Sequence, residues 1–322
     1  MFIPQQNGHP HLNTMPYRRR ASYRRKRTPN RRYRKASGKT RRTYRKPVRR
    51  MSRRAILNAT SRKKRNTMLS YVNTGSSNGA PVTPGVGTYV VNAANGTAIS
   101  VFTPTAMDLL SGGTGNTIAN EAQRTATTCY ILGFSERLRI STTSGLPWFW
   151  RRIAFLSRDP IFTQYNSGDT PIYPANMSFI DTTTNGMQRA WINQSINGAN
   201  ITLFRVQDLL FKGTVNNDWV DVQTAPVDTR RVKVISDRRM TIKSGNQVGT
   251  VKDFKGFYPY RHNLVYDDDE SGEKESTNYL SATDNAGKGN MHIVDFFTPL
   301  PGGTSADQVQ LNSTSTLYWH EK

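Results

Sequence analysis

YILGFSERLRISTTSGLPWFWRRIAFL, residues 130–156, holds two strand-like runs around a turn. From Tyr130 to Ile140 polar and apolar residues alternate, the period of two that a half-buried strand imposes. Ser144-Gly145-Leu146-Pro147 supplies the turn, and Trp148 to Leu156 is then apolar except at Arg151 and Arg152. Neighbouring strand residues point to opposite faces. Both arginines are therefore not expected in the core together, and one of them is expected to look out at a partner or an ion pair.

Further runs of the same character surround this pair. Strands are predicted near Tyr89–Asn92, Thr127–Ser141, Trp148–Leu156, Met187–Ile192, Arg230–Ser236, Met240–Ser244, Val251–Tyr258, Met291–Phe297 and Thr316–His320. Gly, Pro, Asn and Ser separate them, as in Ser76–Gly87. Helical spacing is convincing only in Thr105–Leu110 and Arg205–Phe211, with a short helix also allowed within Arg53–Val72. Many strands and few helices predict an all-β sandwich or barrel. No internal repeat of fixed period is present.

The charge is divided unevenly along the chain. Residues 1–65 hold 24 of the 45 Lys and Arg and none of the 22 acids, leaving 21 bases against 22 acids in the remainder. Such charge density with few large apolar groups does not offset the entropy of ordering, so this arm is expected to stay disordered until it meets a polyanion. Residues 1–16, with Pro4, Pro10 and Pro16, read as a flexible leader, residues 17–72 as the basic arm, and 73–322 as the folded domain.

Several chemistries find no support. The nearest approach to a phosphate loop, Gly38-Lys39-Thr40, has Tyr33 where the pattern needs glycine. Asp267, Asp269, Ser271 and Gly272 resemble the start of a calcium loop, but its twelfth position is Asn278 rather than a bidentate carboxylate. His9, His11, His262, His292 and His320 have no zinc-ligand spacing, and the single cysteine, Cys129, sits in a strand-like run as a small buried hydrophobe. No metal, cofactor or catalytic residue is expected, and the chain does not read as an enzyme. One cysteine also excludes an internal disulfide framework. No apolar run reaches the eighteen or so residues of a membrane span and no signal pattern opens the chain, so a soluble intracellular product with no membrane partner is expected.

The chemistry that is present lies in the arm. Arg18, Arg19, Arg20, Arg24, Arg25, Lys26, Arg27, Arg31, Arg32, Arg34, Lys35, Arg41, Arg42, Arg45, Lys46, Arg49 and Arg50 would neutralise phosphates whatever the base sequence. Tyr17, Tyr23, Tyr33 and Tyr44 are interleaved so that an extended arm stacks bases between those contacts, worth roughly 1–3 kcal/mol per base. That pattern favours unpaired nucleic acid. Arg24, Arg25, Lys26 and Arg27, and again Arg62, Lys63, Lys64 and Arg65, also have the form of nuclear localisation signals. A ribosomal or RNA-chaperone-like protein with a basic tail remains the alternative on these letters alone.

Four segments beyond the basic arm narrow the choice. RRAILNATSRKKRNTML, SGLPWFWRRIAF, FYPYRHNLVYDDDESGE and MHIVDFFTP, following the basic arm in that order, resemble the capsid proteins of genomoviruses, small circular single-stranded DNA viruses, and among them the gemycircularvirus type. The resemblance implies a single viral jelly roll of two packed antiparallel sheets. It implies about sixty copies in a T=1 icosahedral shell, packaging of single-stranded DNA by the arm, host nuclear import receptors as partners, and localisation in the virion and host nucleus. The related geminiviruses carry a zinc-finger-like pattern in their arms; this arm has no cysteine, and metal binding does not carry over.

Overall fold

The computed structural model describes residues 50–173, 175–284 and 286–322. Residues 1–50 and Met51–Lys322 separate into two units, and every strand described belongs to the second. Its strands are β1 (Arg62–Met68), β2 (Ser70–Thr74), β3 (Pro81–Val86), β4 (Tyr89–Asn92), β5 (Ala98–Phe102), β6 (Thr128–Thr142), β7 (Trp148–Ser157), β8 (Gly186–Trp191), β9 (Lys233–Ile242), β10 (Val251–Val265), β11 (Asn290–Pro299) and β12 (Gln308–Glu321). Two α-helices accompany them, α1 (Arg53–Thr60) and α2 (Asn200–Leu210).

Two antiparallel sheets form the body. In the first, β1 and β4 pair with successive halves of β12, followed by β6 and β10; in the second the order is β9, β7, β11, β5. Let β1 with β4 count as the first strand and β5, β6, β7, β9, β10, β11 and β12 as the second to eighth. One sheet then runs first, eighth, third, sixth and the other second, seventh, fourth, fifth, which is the strand order of a jelly roll. A smaller sheet of Ile180–Thr182, β8, β2 and β3 packs against β5 on one side and β1 and β4 on the other, closing one open side of the sandwich.

The period-two segment behaves as its letters require. Ile131, Phe134, Leu138 and Ile140 of β6 are buried, while Arg137 and Arg139 are exposed. Gly133 marks a slip in the alternation, with register shifts in both neighbouring strands, at Pro259/His262 of β10 and Tyr318/Trp319 of β12. A Cβ there would lie 2.5 Å from the Tyr258 carbonyl oxygen, so only glycine lets the strands approach.

The expectation for Arg151 and Arg152 is half corrected. They do face opposite sides of β7, but both are buried, at 0% and 2% exposure. The outer face of the second sheet is not solvent: Ile153, Phe155, Val294 and Phe296 pack there beneath Phe162, Leu203, Val206 and Phe211, contributed by the long connection between β7 and β9. Cover on both faces explains why WFWRRIAFL is almost continuously apolar. Arg151, on that outer side, does make an ion pair, with Asp237 at 2.8 Å, and also donates to the carbonyls of Val222 and Ala225.

Three other expectations change. The folded body begins at β1 rather than at residue 73, because Lys64, Asn66 and Met68 point inward and pair along β12 as a regular strand. Arg230–Ser236 and Met240–Ser244 are replaced by one strand, β9, with a bulge between Val234 and Ser236. Thr105–Leu110 is not a helix: Tyr266 donates to the Thr105 carbonyl and Arg124 to that of Met107, so tertiary partners take the groups a helix would use. The helices expected within Arg53–Val72 and at Arg205–Phe211 correspond to α1 and the end of α2. Among the described residues, no helix is long and apolar enough to cross a membrane.

Candidate nucleic-acid interface

Tyr17 through Arg49, including Arg24, Arg25, Lys26 and Arg27, lie outside the described residues. Arg50 is exposed and lies three residues before the start of α1, whose first turn is capped by the Ser52 hydroxyl accepting from the Ala55 amide at 3.2 Å. The helix leads into β1, so the chain emerging from the arm becomes an edge strand of the first sheet. The basic quartet Arg62, Lys63, Lys64 and Arg65 opens that strand.

Strand geometry divides the quartet. Arg62, Lys63 and Arg65 are exposed, whereas Lys64 is buried with its ammonium 3.0 Å from Glu321 and donating to the Gln123 carbonyl and Thr125 hydroxyl. Burial alone would raise the Glu321 carboxyl, but hydrogen bonds from Thr125, Trp319 and Lys64 hold it below the usual carboxylate range. A receptor reading all four cations as a linear peptide would have to lift β1 off β12.

The solvent face of the first sheet carries a second set of cations. Cross-strand register places Lys63 opposite His320 and His320 opposite Tyr130; the next row runs Arg65, Tyr318, Gly133. Further along, Thr314 lies opposite Arg137, and Arg137 opposite Lys255, with Phe257 two residues from Lys255 on the same face. Directly opposed residues lie about 5 Å apart, so cations and rings share one face, with Arg137 and Lys255 directly opposed. The Tyr130 and His320 rings are 6.0 Å apart. Partial burial, and then the Lys63 charge, pull His320 below its ordinary pKa, which leaves a neutral ring at pH 7. Arg139 on this face is matched by Asp253 at 2.9 Å, both largely exposed. Lys63, Arg65, Arg137 and Lys255 have no ion pair among the described residues.

Such a face has the chemistry an unpaired strand would need, lysine and arginine to meet phosphates and tyrosine, phenylalanine and imidazole rings on which bases would stack. Sequence reasoning missed Arg137, Lys255, Tyr130 and Tyr318 as members of one face. The alternation over Phe134–Ile140 was the available signal for Arg137 and Arg139, which it places away from the core, whereas Tyr130 joins them only through the slip at Gly133.

Beneath the face lies a buried charge cluster. Glu136 of β6 accepts from Arg189 Nε at 2.7 Å, Ser315 Oγ at 3.0 Å and Arg152 Nη1. Asp295 of β11 accepts from Arg152 Nε at 2.6 Å, Trp150 Nε1 at 2.9 Å and Arg189 Nη2 at 3.0 Å. Two arginines and two carboxylates thus join the two main sheets and, through Arg189 of β8, the smaller one. The Arg189 guanidinium also lies 3.7 Å from the Trp191 ring centroid. Burial would raise Glu136, but Arg152 and Arg189 hold its carboxyl down at about 2. With every member paired and no access to solvent, the cluster is fixed as architecture.

The remaining candidates are as inert. Burial, and next the Glu321 carboxylate, push the Cys129 thiol far up, so it stays protonated. His292 is buried between Phe155 and Phe162, and desolvation takes it down to about 3. Among the described residues no three His, Cys, Asp or Glu side chains converge to hold a metal ion. Asp267–Ser276 is instead a solvent-exposed ribbon anchored by the buried pair Arg124–Asp268 at 2.5 Å.

Fold and surface together define a jelly-roll protein with a cationic, aromatic sheet face. No protein-family model matches the chain, and no curated protein matches it. Among solved structures, an arginine-to-lysine mutant of the unassembled Washington University polyomavirus VP1 pentamer is similar at 11% identity, covering 82% of this chain and 94% of that one, with a TM-score of 0.17.

Proposed function

We propose that this protein is a viral coat protein whose jelly-roll body tiles a closed shell and whose basic arm condenses the genome. The observation that carries the reading is the union of two features in one chain. Residues 1–65 hold 24 cations and no acid, and they run directly into the edge of a sheet that itself displays cations among aromatic rings. The resemblance of the ordered segments to genomovirus capsid proteins favours circular single-stranded DNA as cargo, a T=1 shell and a nuclear phase. The protein acts structurally rather than as a catalyst.

Charge arithmetic agrees. Residues 1–61, ahead of β1, hold 20 of the 24 cations and neutralise roughly 20 nucleotides, so about sixty arms neutralise roughly 1200. The chain from residue 66 onward, with 21 bases against 22 acids, carries almost no net charge to drive copies apart. Before assembly the same arm is free to engage nuclear import receptors, and afterwards it is paired to phosphate.

The test is deletion of residues 1–50. Most salt-sensitive binding to single-stranded DNA should vanish while the β domain keeps its melting transition, leaving a weak residual on the sheet face. Undiminished binding after deletion would overturn the assignment to the arm. A fluorescent fusion of residues 17–65 should concentrate in nuclei; a cytoplasmic distribution would remove the import role.

A further inference from the structure

Besides the cationic sheet face, the body carries two further patches of opposite sign. One is a recess of about 720 Å³ beside the end of β7 and the start of β9, lined by Arg158, Arg230, Arg231, Lys233 and Lys288 with Asp159 as the only acid. Of the five cations only Arg231 has an ion pair among the described residues, with Asp228 at 3.4 Å. Arg158 is half-buried and donates to the Gly287 carbonyl at 2.7 Å, which fixes its guanidinium without neutralising it. No aromatic ring lines the recess.

The other patch is the two-stranded ribbon Asp269–Ser271 and Lys274–Ser276 with the residue leading into it. Asp267, Asp269, Glu270, Glu273 and Glu275 are exposed, against the single cation Lys274. None of these five carboxylates forms an ion pair among the described residues, although Asp268, between them in sequence, is consumed by Arg124. That buried pair and the Asn278 amide, which donates to Asp268 at 3.1 Å, hold the ribbon's base against the body and leave its tip projecting.

We propose that the acidic ribbon of one copy docks into the cationic recess of a neighbouring copy. The inference rests on the shell reading above and names a contact that builds the shell. Both patches are charged, largely exposed and, Arg231 apart, without ion pairs among the described residues, and their signs are opposite; complementary patches steer encounter and reject wrong registers. Because ribbon and recess are different surfaces, the contact is head-to-tail and generates a ring when the rotation closes, as a closed shell requires around its axes. The bare recess is a poorer fit to the packaged strand, since it offers no ring on which a base can stack.

The experiment is a charge swap in the full-length protein, followed by light scattering and electron microscopy with single-stranded DNA present. Asp269→Lys with Glu270→Lys and Glu273→Lys reverses the ribbon; Arg230→Glu with Lys233→Glu and Lys288→Glu reverses the recess. Each reversal alone should raise the concentration for half-assembly by roughly tenfold or more, as like charges face each other. The two combined in one chain should restore assembly, which a misfolded variant would not do. Raising salt should weaken wild-type assembly through the same contact.

Three outcomes would overturn the docking: reversed variants that assemble like wild type, a combined variant with no rescue although its melting transition is intact, or a recess reversal that weakens DNA binding and leaves assembly unchanged. Wild-type protein that stays monomeric would instead remove the shell reading, and the docking with it.

Discussion

Glu136→Gln isolates the buried cluster with the smallest change of shape. In the wild type both carboxylate oxygens accept, from Arg189, Ser315 and Arg152. A glutamine offers one accepting oxygen, and its amide nitrogen must face a guanidinium or the Ser315 hydroxyl. The cluster is also left with Arg152 and Arg189 against Asp295 alone, an uncompensated charge between sheets where all four side chains are 2% exposed or less. Removing one partner of a buried pair costs about 3–5 kcal/mol, a large part of a total stability of about 5–15 kcal/mol. For a body of this size that corresponds to a drop in melting temperature of roughly 10 °C. The assay is calorimetry of protein lacking residues 1–50 at pH 7, with Asp253→Asn as the control. Arg139 and Asp253 are both largely exposed, so solvent screens that pair and its loss should barely move the transition. A Glu136→Gln shift no larger than the control's would refute the reasoning. Because the Glu136 carboxyl is depressed to about 2, its contribution is fully present above the unfolded value near 4.3 and is lost as pH falls toward 2.

Other outcomes follow from single sites. His292 stays neutral in the fold down to about pH 3 while the unfolded chain protonates near 6.5, so its burial costs stability as pH falls between those values. The stability difference between wild type and His292→Gln should therefore shift against wild type by up to about 2 kcal/mol between pH 7 and pH 5, measured by urea unfolding; no change would contradict it. Lys64→Met strands Glu321 and should cost about 3 kcal/mol, read as a lowered urea midpoint and faster protease cleavage between α1 and β2. Gly249→Ala would place a Cβ 1.7 Å from the Thr142 carbonyl oxygen and should destabilise the protein by more than any exposed substitution in β6. In the protein lacking residues 1–50, changing Lys63, Arg65, Arg137 and Lys255 to Gln should lower the salt-dependence slope of single-stranded DNA binding by about 3; an unchanged slope would remove the sheet face from the interface.

The strand pair Tyr130–Leu156 was legible because periodicity reports burial directly, and β6 and β7 follow it closely. What surrounds that pair was less so. The polar face of β1 looked like more arm because lysine and arginine outnumber its apolar residues, yet the aliphatic stem and ion pair of Lys64 let a cation occupy an inward position. The burial of Arg151 depended on a layer contributed from residues 160–232, which no local window contains. Glu136, Arg189 and Asp295 stood in strand-like sequence, FSERL, MQRAW and IVDFF, the last two as lone charges. A lone charge amid apolar letters signals a buried partner without saying which, and only the fold brings these three to Arg152.

The most direct measurement of the central claim is the mass and form of the full-length protein with single-stranded DNA at low salt, by light scattering and electron microscopy. At 36.3 kDa per copy, about sixty copies give closed isometric particles of roughly 2 MDa before nucleic acid. A population of monomers under every low-salt condition, with or without DNA, would contradict the account.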